Sequence, residues 1–510
     1  MKKLSFRKIA AAFLLFPLVM TSCTKDFQEI NRDPNNTPNA LPQQLLAPTI
    51  VSVMTYNQLR NRNFNNELMQ VTVNMSDAEG AVFRYNFRSN WADYLWNGWY
   101  SELTNIKDIY SIANEEINYN RSYMGISLIL QSWVYSLLTD TFGDVPFSES
   151  NKAKLDGNYE PKFDKQKDIY AGIFQMLEEA DTLLQTNTAI ESASDPLYNG
   201  NVSRWRKFGN SLYLRLLMRI SGKAEVSSEV IAKFKEIVEN PDVYPIISNN
   251  DESAIVRWTG VSPFISPLTT VREQDFRMPG LASFFIDNLV IWNDPRIDLA
   301  YGSGSPTLTN RWGIAPYNGA FGGIPSGYAP GDNPQKQSWF YSVTNNGGSG
   351  PTLQSDPLTG QILNYAEVQF MLAEAAVKGW ISGSAEEYYN KGVEASIKMW
   401  LPNWDVPVTT YLANADMQWN DAASFDEKME KIHLQKYYAL FLMDLQQWFE
   451  YRRTGHPILP KGSGLYNNGE MPSRINYPVY VQSTNPTNYK LAVAEQGPDD
   501  ISTKVWWQKP

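Results

Sequence analysis

The chain has very little of the side-chain chemistry on which many enzymes depend. Among its 510 residues there is one cysteine, Cys23, and there are two histidines, His433 and His456. A disulfide framework and a cysteine-built zinc site are thereby excluded, and a His-rich metal site or a serine triad has almost no material. Walker-type and dinucleotide-binding glycine loops, His-Glu-x-x-His and Gly-x-Ser-x-Gly are all missing. Beyond the amino end, no stretch carries the 18 or more apolar residues of a membrane-spanning helix. Met124 to Leu138 comes nearest and is interrupted by Gln131 and serines. Basic residues are in deficit, 44 against 54 acidic, so nucleic acid is not an expected partner. The expectation is a protein that is no enzyme and uses no cofactor, with no residue singled out as a metal ligand.

What is present begins at the amino end. Lys2, Lys3, Arg7 and Lys8 precede an uncharged run from Ile9 to Met20, the basic and apolar layout of a secretory signal. As a helix this run spans about 18 Å, short of the roughly 30 Å of a bilayer core. Met20-Thr21-Ser22-Cys23 follows and resembles a bacterial lipobox, with methionine where leucine is more usual. The resemblance implies cleavage before Cys23, diacylation of its thiol and acylation of the new amino terminus. Several acyl chains, at about 0.8 kcal/mol per buried CH₂, anchor a domain stably. No thiol then remains for a cysteine nucleophile. Residues 1–22 are thus expected to be a signal peptide and 23–42 a lipidated tether, with an Asn- and Pro-rich stretch from Asn31 to Pro38. Lys25 and Asp26 resemble a signal for the outer face of the outer membrane. Losing residues 1–22 removes four positive charges and no negative ones, leaving a formal net charge of −14.

Residues 43–510 contain no long Ser/Gly or charge-rich linker and are expected to form one body. Apolar residues recur three and four apart over about 93–117, 123–142, 166–186, 204–222, 227–239, 279–292, 364–380, 384–400 and 424–453, which predicts a mainly α-helical protein. Short Gly, Pro or Asn breaks suggest helical pairs, although no clean 34-residue repeat is legible. Residues 301–360 depart from the pattern: they hold 12 of the 31 glycines and seven of the 30 prolines. Regular helix is excluded there, and long aromatic-rich loops in a compact body are uncommon unless functional.

Several stretches, in order, carry a resemblance. They are Cys23 to Phe27 with Asn31 and Asp33-Pro34-Asn35; Thr141-Phe142-Gly143-Asp144-Val145-Pro146; Trp205 to Leu212 with Leu214-Arg215; Asp294-Pro295-Arg296; Ala373-Glu374-Ala375 with Gly379-Trp380; Gln435-Lys436-Tyr437; Arg452 to Pro457; and Arg474-Ile475-Asn476-Tyr477-Pro478. In these the chain resembles the SusD/RagB family of outer-membrane nutrient-binding lipoproteins, in the branch called SusD-like 2. The resemblance implies a scaffold of about four tetratricopeptide-like hairpins with an irregular loop-rich part packed on it. It implies a partner as well, a SusC-like TonB-dependent outer-membrane barrel that the lipoprotein caps as a hinged lid at the cell exterior. The implied role is non-catalytic capture of a nutrient, most readily an oligosaccharide. A peptide or glycopeptide ligand, a surface glycoside hydrolase and a purely structural partner of the barrel are the alternatives.

Rings with 13% abundance, including 16 Trp and 28 Tyr, could pack on the C–H faces of sugars while Arg, Asn and Asp bond the hydroxyls. Candidates are Trp91 and Trp96, near the start of the first predicted helix, each equally readable as core; Trp99 and Tyr100 are expected to begin its core face. In the glycine-rich loops the candidates are Trp312, Tyr317, Phe321 and Tyr328. Arg272 and Asp275 could bond hydroxyls or a ligand carboxylate, although a mutual surface ion pair is the favoured reading. Glu367 and Glu374, seven apart, could pose as an acid pair but are expected on a solvated helix face. Arg452 and Arg453 are expected to complement a helix C-terminus, and His433 to be structural.

Overall fold

The computed structural model describes residues 40–76, 80–297, 310–345 and 350–509. The expected signal peptide, Cys23 and most of the tether lie outside them. The chain divides into Met1–Leu41 and Pro42–Pro510, and the fold that follows is that of the second part.

Helices dominate it: α1 (Pro42–Arg60), α2 (Trp91–Ala113), α3 (Arg121–Phe142), α4 (Gln166–Leu184), α5 (Val202–Ile220), α6 (Ala224–Glu239), α7 (Ser283–Ile291), α8 (Tyr365–Val377), α9 (Ala385–Trp400), α10 (Phe425–Ala439), α11 (Gln446–Thr454) and α12 (Pro486–Gln496). Pairs pack in sequence, α1 on α2, α3 on α4, α5 on α6 and α8 on α9. Further contacts of α2 with α3, α4 with α5 and α5 with α8 link these pairs into one stack. Helix α3 is central: from Ser122 to Phe142 every residue is buried, its serines, threonines, Gln131 and Asp140 included. It is capped by Asn120, whose side chain accepts from the Ser122 and Tyr123 amides, and it stops at Gly143. There φ is +88° and an added Cβ would meet the Gln496 carboxamide, so only glycine fits.

Two differences from the sequence reading have identifiable causes. The expected helix over 424–453 is two helices, because the chain turns at Leu442 and Asp444, both at positive φ. One tertiary and one local bond hold that turn: Asn61 Nδ2 donates to the Asp444 carbonyl at 2.8 Å, and Gln446 Nε2 donates to the Asp444 carboxylate at 3.0 Å. Helix α1 contains Pro48, which obscures its pattern; α2 packs against it and completes its burial.

Strands are short and join distant segments. β1 (Thr72–Val73) pairs antiparallel with β3 (Gly280–Leu281), β2 (Ala254–Val256) with β6 (Gly360–Leu363), and β4 (Ile314–Ala315) with β5 (Trp339–Phe340). The β4–β5 pair lies within the glycine-rich region, and β6 at its end pairs with β2. The rings of that region add to its attachment. Trp312 is fully buried, 5.8 Å from Phe285 and 5.1 Å from Phe441, with the Arg296 guanidinium 4.7 Å from its centroid. Tyr328 is buried in a small second core with Val73, Phe83 and Ile324. The expectation that Trp312 and Tyr328 present rings to a ligand is therefore corrected: a long loop without regular structure stays folded by burying its large apolar groups.

Candidate functional site

Helix α2 offers two adjacent stripes. Trp96 and Tyr100, four residues apart, share one; Asp93, Asn97 and Ser101, also four apart, share the next. Each stripe borders a concavity, and Tyr480 joins the two: it lines the first, and its hydroxyl donates to Asn97 Oδ1 at 2.5 Å at the edge of the second.

The first concavity is a cleft of about 210 Å³. Its floor is Trp96, 6% exposed, in a box of rings: Tyr100 at 5.0 Å, Phe142 at 5.1 Å, Tyr477 at 5.9 Å and Phe163 at 6.1 Å. Two rings stand in solvent at its rim, Tyr159 (79% exposed) and Tyr480 (40% exposed). The remaining lining is uncharged: Pro146, Pro161 and Val481 are apolar, and Ser150, Asn151, Thr484 and Asn485 are polar. Asn151 Nδ2 donates to the Tyr100 carbonyl at 2.7 Å and to Thr104 Oγ1 at 2.9 Å, which leaves Oδ1 buried without a partner. Tyr100 lines this cleft, its hydroxyl donating to the Pro146 carbonyl at 2.8 Å, so it is no simple core residue. Trp99 is fully buried as expected, its Nε1 donating to Asn57.

The second concavity, more open and about 480 Å³, is lined by Tyr56, Arg60, Asn90, Asp93, Tyr94, Asn97 and Ser101. Gly98 lets Tyr56 lie on the helix, since a Cβ there would sit 2.5 Å from that ring. The Arg60 guanidinium rests 4.5 Å from the Trp91 centroid and 4.7 Å from that of Tyr94. Trp91 is half-buried, packed also on Phe64 at 5.8 Å. Burial lowers the Arg60 pKa to about 10, with Tyr94 opposing and Arg62 adding to the shift.

The other candidates fall elsewhere. Arg272 and Asp275 form an exposed ion pair with each other at 2.7 Å, the favoured reading. Tyr317 and Phe321 are partly exposed but line neither concavity; the Tyr317 hydroxyl accepts from Gln335 Nε2. Glu367 and Glu374 are not on a solvated face. Both are buried, Glu367 bonded to Arg215 at 2.6 Å and Glu374 to Arg453 at 2.6 Å, because α8 is enclosed by α5, α9 and α10. Although burial opposes it, Arg453, Lys378 and His433 hold the Glu374 carboxyl far below its ordinary range. Arg453 bridges Glu374 and Glu450, and Arg452 donates to the Asp140 carbonyl at 2.7 Å, so both arginines tie helices together. His433 is fully buried between Glu374 and Glu450, 3.5 Å from each, and burial lowers its pKa to about 3. Glu374, His433 and Glu450 lie close enough to hold a cation, yet Arg453 already pairs with both carboxylates, Lys378 with Glu374 and Lys436 with Glu450. Sequence reasoning overlooked Arg60, Tyr159 and Tyr480. The last two were legible only as tyrosines beside prolines, Pro161 and Pro478, in stretches without helical periodicity.

The family profile described as "Starch-binding associating with outer membrane" matches residues 34–478. The chain belongs to the SusD-like 2 family. A SusD homolog from Bacteroides fragilis is 26% identical with a TM-score of 0.72, over 92% of this chain and 99% of that one. A chitin-binding SusD homolog from Flavobacterium johnsoniae is 21% identical with a TM-score of 0.75, over 92% and 98%, and supports the fold alone. A chitin-binding protein is 26% identical with a TM-score of 0.70, over 92% and 99%. No curated protein matches the chain significantly in sequence. The stretches shared with SusD-like proteins are largely framework here. Asp144 of Thr141–Pro146 accepts from the Gln166 amide at 2.8 Å and receives Tyr477 on its carbonyl, while Asp294 and Arg296 form a buried pair at 2.7 Å. In these stretches the family resemblance reports on the scaffold.

Proposed function

We propose that this SusD-like protein is a non-catalytic glycan-binding lipoprotein of the outer membrane, held by acylated Cys23 and serving a SusC-like TonB-dependent barrel as its lid. The observation that carries the glycan reading is the cleft beside α2. Tyr159 and Tyr480 at its rim can pack against the C–H faces of sugar rings, Trp96 and Phe163 form an apolar floor, and Asn151 and Thr484 offer polar groups to hydroxyls. Among the described residues no carboxylate lines this cleft, so the two converging acids of a glycosidase are not found there. The chitin-binding name of one similar structure, 26% identical, agrees with a polysaccharide ligand. The lipid anchor, the signal peptide and the barrel partner rest on the amino-terminal motif and the family resemblance.

The test is a glycan and peptide array probed with the full chain in detergent, followed by titration of the best ligand against Tyr159→Ala and Tyr480→Ala. The expected outcome is a glycan bound intact and weakened about tenfold or more by each substitution, since base- and sugar-type stacking on one ring is worth roughly 1–3 kcal/mol. Release of shorter sugars, or binding to peptides alone, refutes the reading.

A further inference from the structure

Several arginines that this fold withdraws from water are matched to acids, while Arg452 donates to the Asp140 carbonyl and Arg62 to that of Asp275. Arg206 meets Asp181 at 2.7 Å, Arg215 meets Glu367 at 2.6 Å, Arg296 meets Asp294 at 2.7 Å, Arg453 meets Glu374 at 2.6 Å and Arg474 meets Asp499 at 3.0 Å. That is the ordinary outcome, because a charge removed from water is costly unless it is paired. Arg60 departs from it. Its guanidinium is half-buried between Trp91 and Tyr94, its Nε has no partner, and its one hydrogen bond is a long contact of 3.4 Å to Asn63 Oδ1. Among the described residues no carboxylate lies within 4.0 Å of it, although Asp93 lines the same concavity.

The two rings account for where the guanidinium lies, since its flat face is attracted to theirs. They leave the N–H groups along its edge unanswered. A planar, permanently charged fork of this kind suits a carboxylate, which can accept two parallel bonds from it. The same concavity holds groups suited to the rest of a sugar acid: Asp93, with Oδ1 buried and unpartnered, accepts from a hydroxyl, and Asn90 and Ser101 both donate and accept. Asp93 disfavours an anion placed beside it, which confines the ligand carboxylate to the Arg60 side. Through Tyr480 and Asn97 this concavity meets the neutral aromatic cleft, so one chain of sugars can engage both.

We propose that the Arg60 concavity is a carboxylate-recognising subsite and that the ligand is an acidic glycan containing uronic acid residues. This rests on the glycan-binding reading and narrows its substrate class. The experiment uses the full chain in detergent and oligosaccharides of galacturonate, glucuronate and mannuronate, each compared with its methyl-esterified, uncharged twin, with neutral β-linked N-acetylglucosamine oligosaccharides alongside. The expected result is at least one acidic oligosaccharide bound about tenfold or more tighter than its ester, an advantage that shrinks with added salt. Arg60→Gln should erase the difference, and Arg60→Lys, which keeps charge but loses the fork, should keep part of it. Thermal melting of both variants checks that they fold, and the acid-to-ester ratio of the unmodified chain stands without them. Esters bound as well as acids, or neutral glycans bound while every acid fails, overturns the proposal and leaves the glycan-binding reading intact; no binding to any glycan removes both.

Discussion

Glu67 is a carboxyl placed where its charge is unwelcome, and it makes the stability of the fold depend on pH in a direction opposite to ordinary acid denaturation. The residue follows α1 and is 4% exposed. Burial raises its pKa from 4.5 to about 8, against the opposing pull of a backbone hydrogen bond at Phe83 and of Arg62. A carboxyl whose pKa is higher folded than unfolded keeps its proton in the fold after the unfolded chain has lost it. Folding is therefore penalised progressively as pH climbs from about 4.5 to about 8, and the penalty is constant above that window. At 1.36 kcal/mol per unit, the ceiling is about 5 kcal/mol. Glu67→Gln mimics the protonated form at every pH. Denaturant unfolding of the parent and the variant at pH 5 and pH 9 should give a difference in stability that grows by several kcal/mol in favour of the variant at the higher pH. Taking the change between the two pH values cancels any fixed cost of the amide. If the parent–variant gap is the same at both, Glu67 is not buried as a neutral acid and the reasoning fails.

Three other outcomes follow from the packing. Glu367→Gln strands the Arg215 guanidinium inside the helical stack and should cost about 3–5 kcal/mol in a denaturation midpoint analysis; a cost under about 1 kcal/mol means this pair does not join α5 to α8. Trp312→Ala should destabilise by about 3–5 kcal/mol while leaving the glycan affinity of the folded fraction unchanged, and a selective loss of binding instead restores that ring to the ligand site. Arg272→Ala removes an exposed ion pair with Asp275 and should change stability by less than about 1 kcal/mol, with glycan affinity held; a larger shift in either measurement contradicts its surface role.

The sequence by itself determined the helical class, most helix positions and the family. Those features are written locally: the three-and-four spacing of Trp205, Phe208, Leu212 and Leu216 defines a buried stripe wherever the helix is placed, and Asn120 ahead of Arg121 or Ser424 ahead of Phe425 marks a helix start. Only the tertiary structure decided which rings are free. Trp312 and Tyr159 look alike as aromatic residues in irregular stretches, yet one is sealed against Phe285 and Phe441 and the other stands in solvent. The same holds for charge. Nothing near Glu374 in the chain announces Arg453, and nothing near Arg60 reveals that its neighbours are rings and no acid. Burial and ion pairing are properties of groups brought together from distant positions, so a periodic pattern can state that a face is covered but cannot name what covers it.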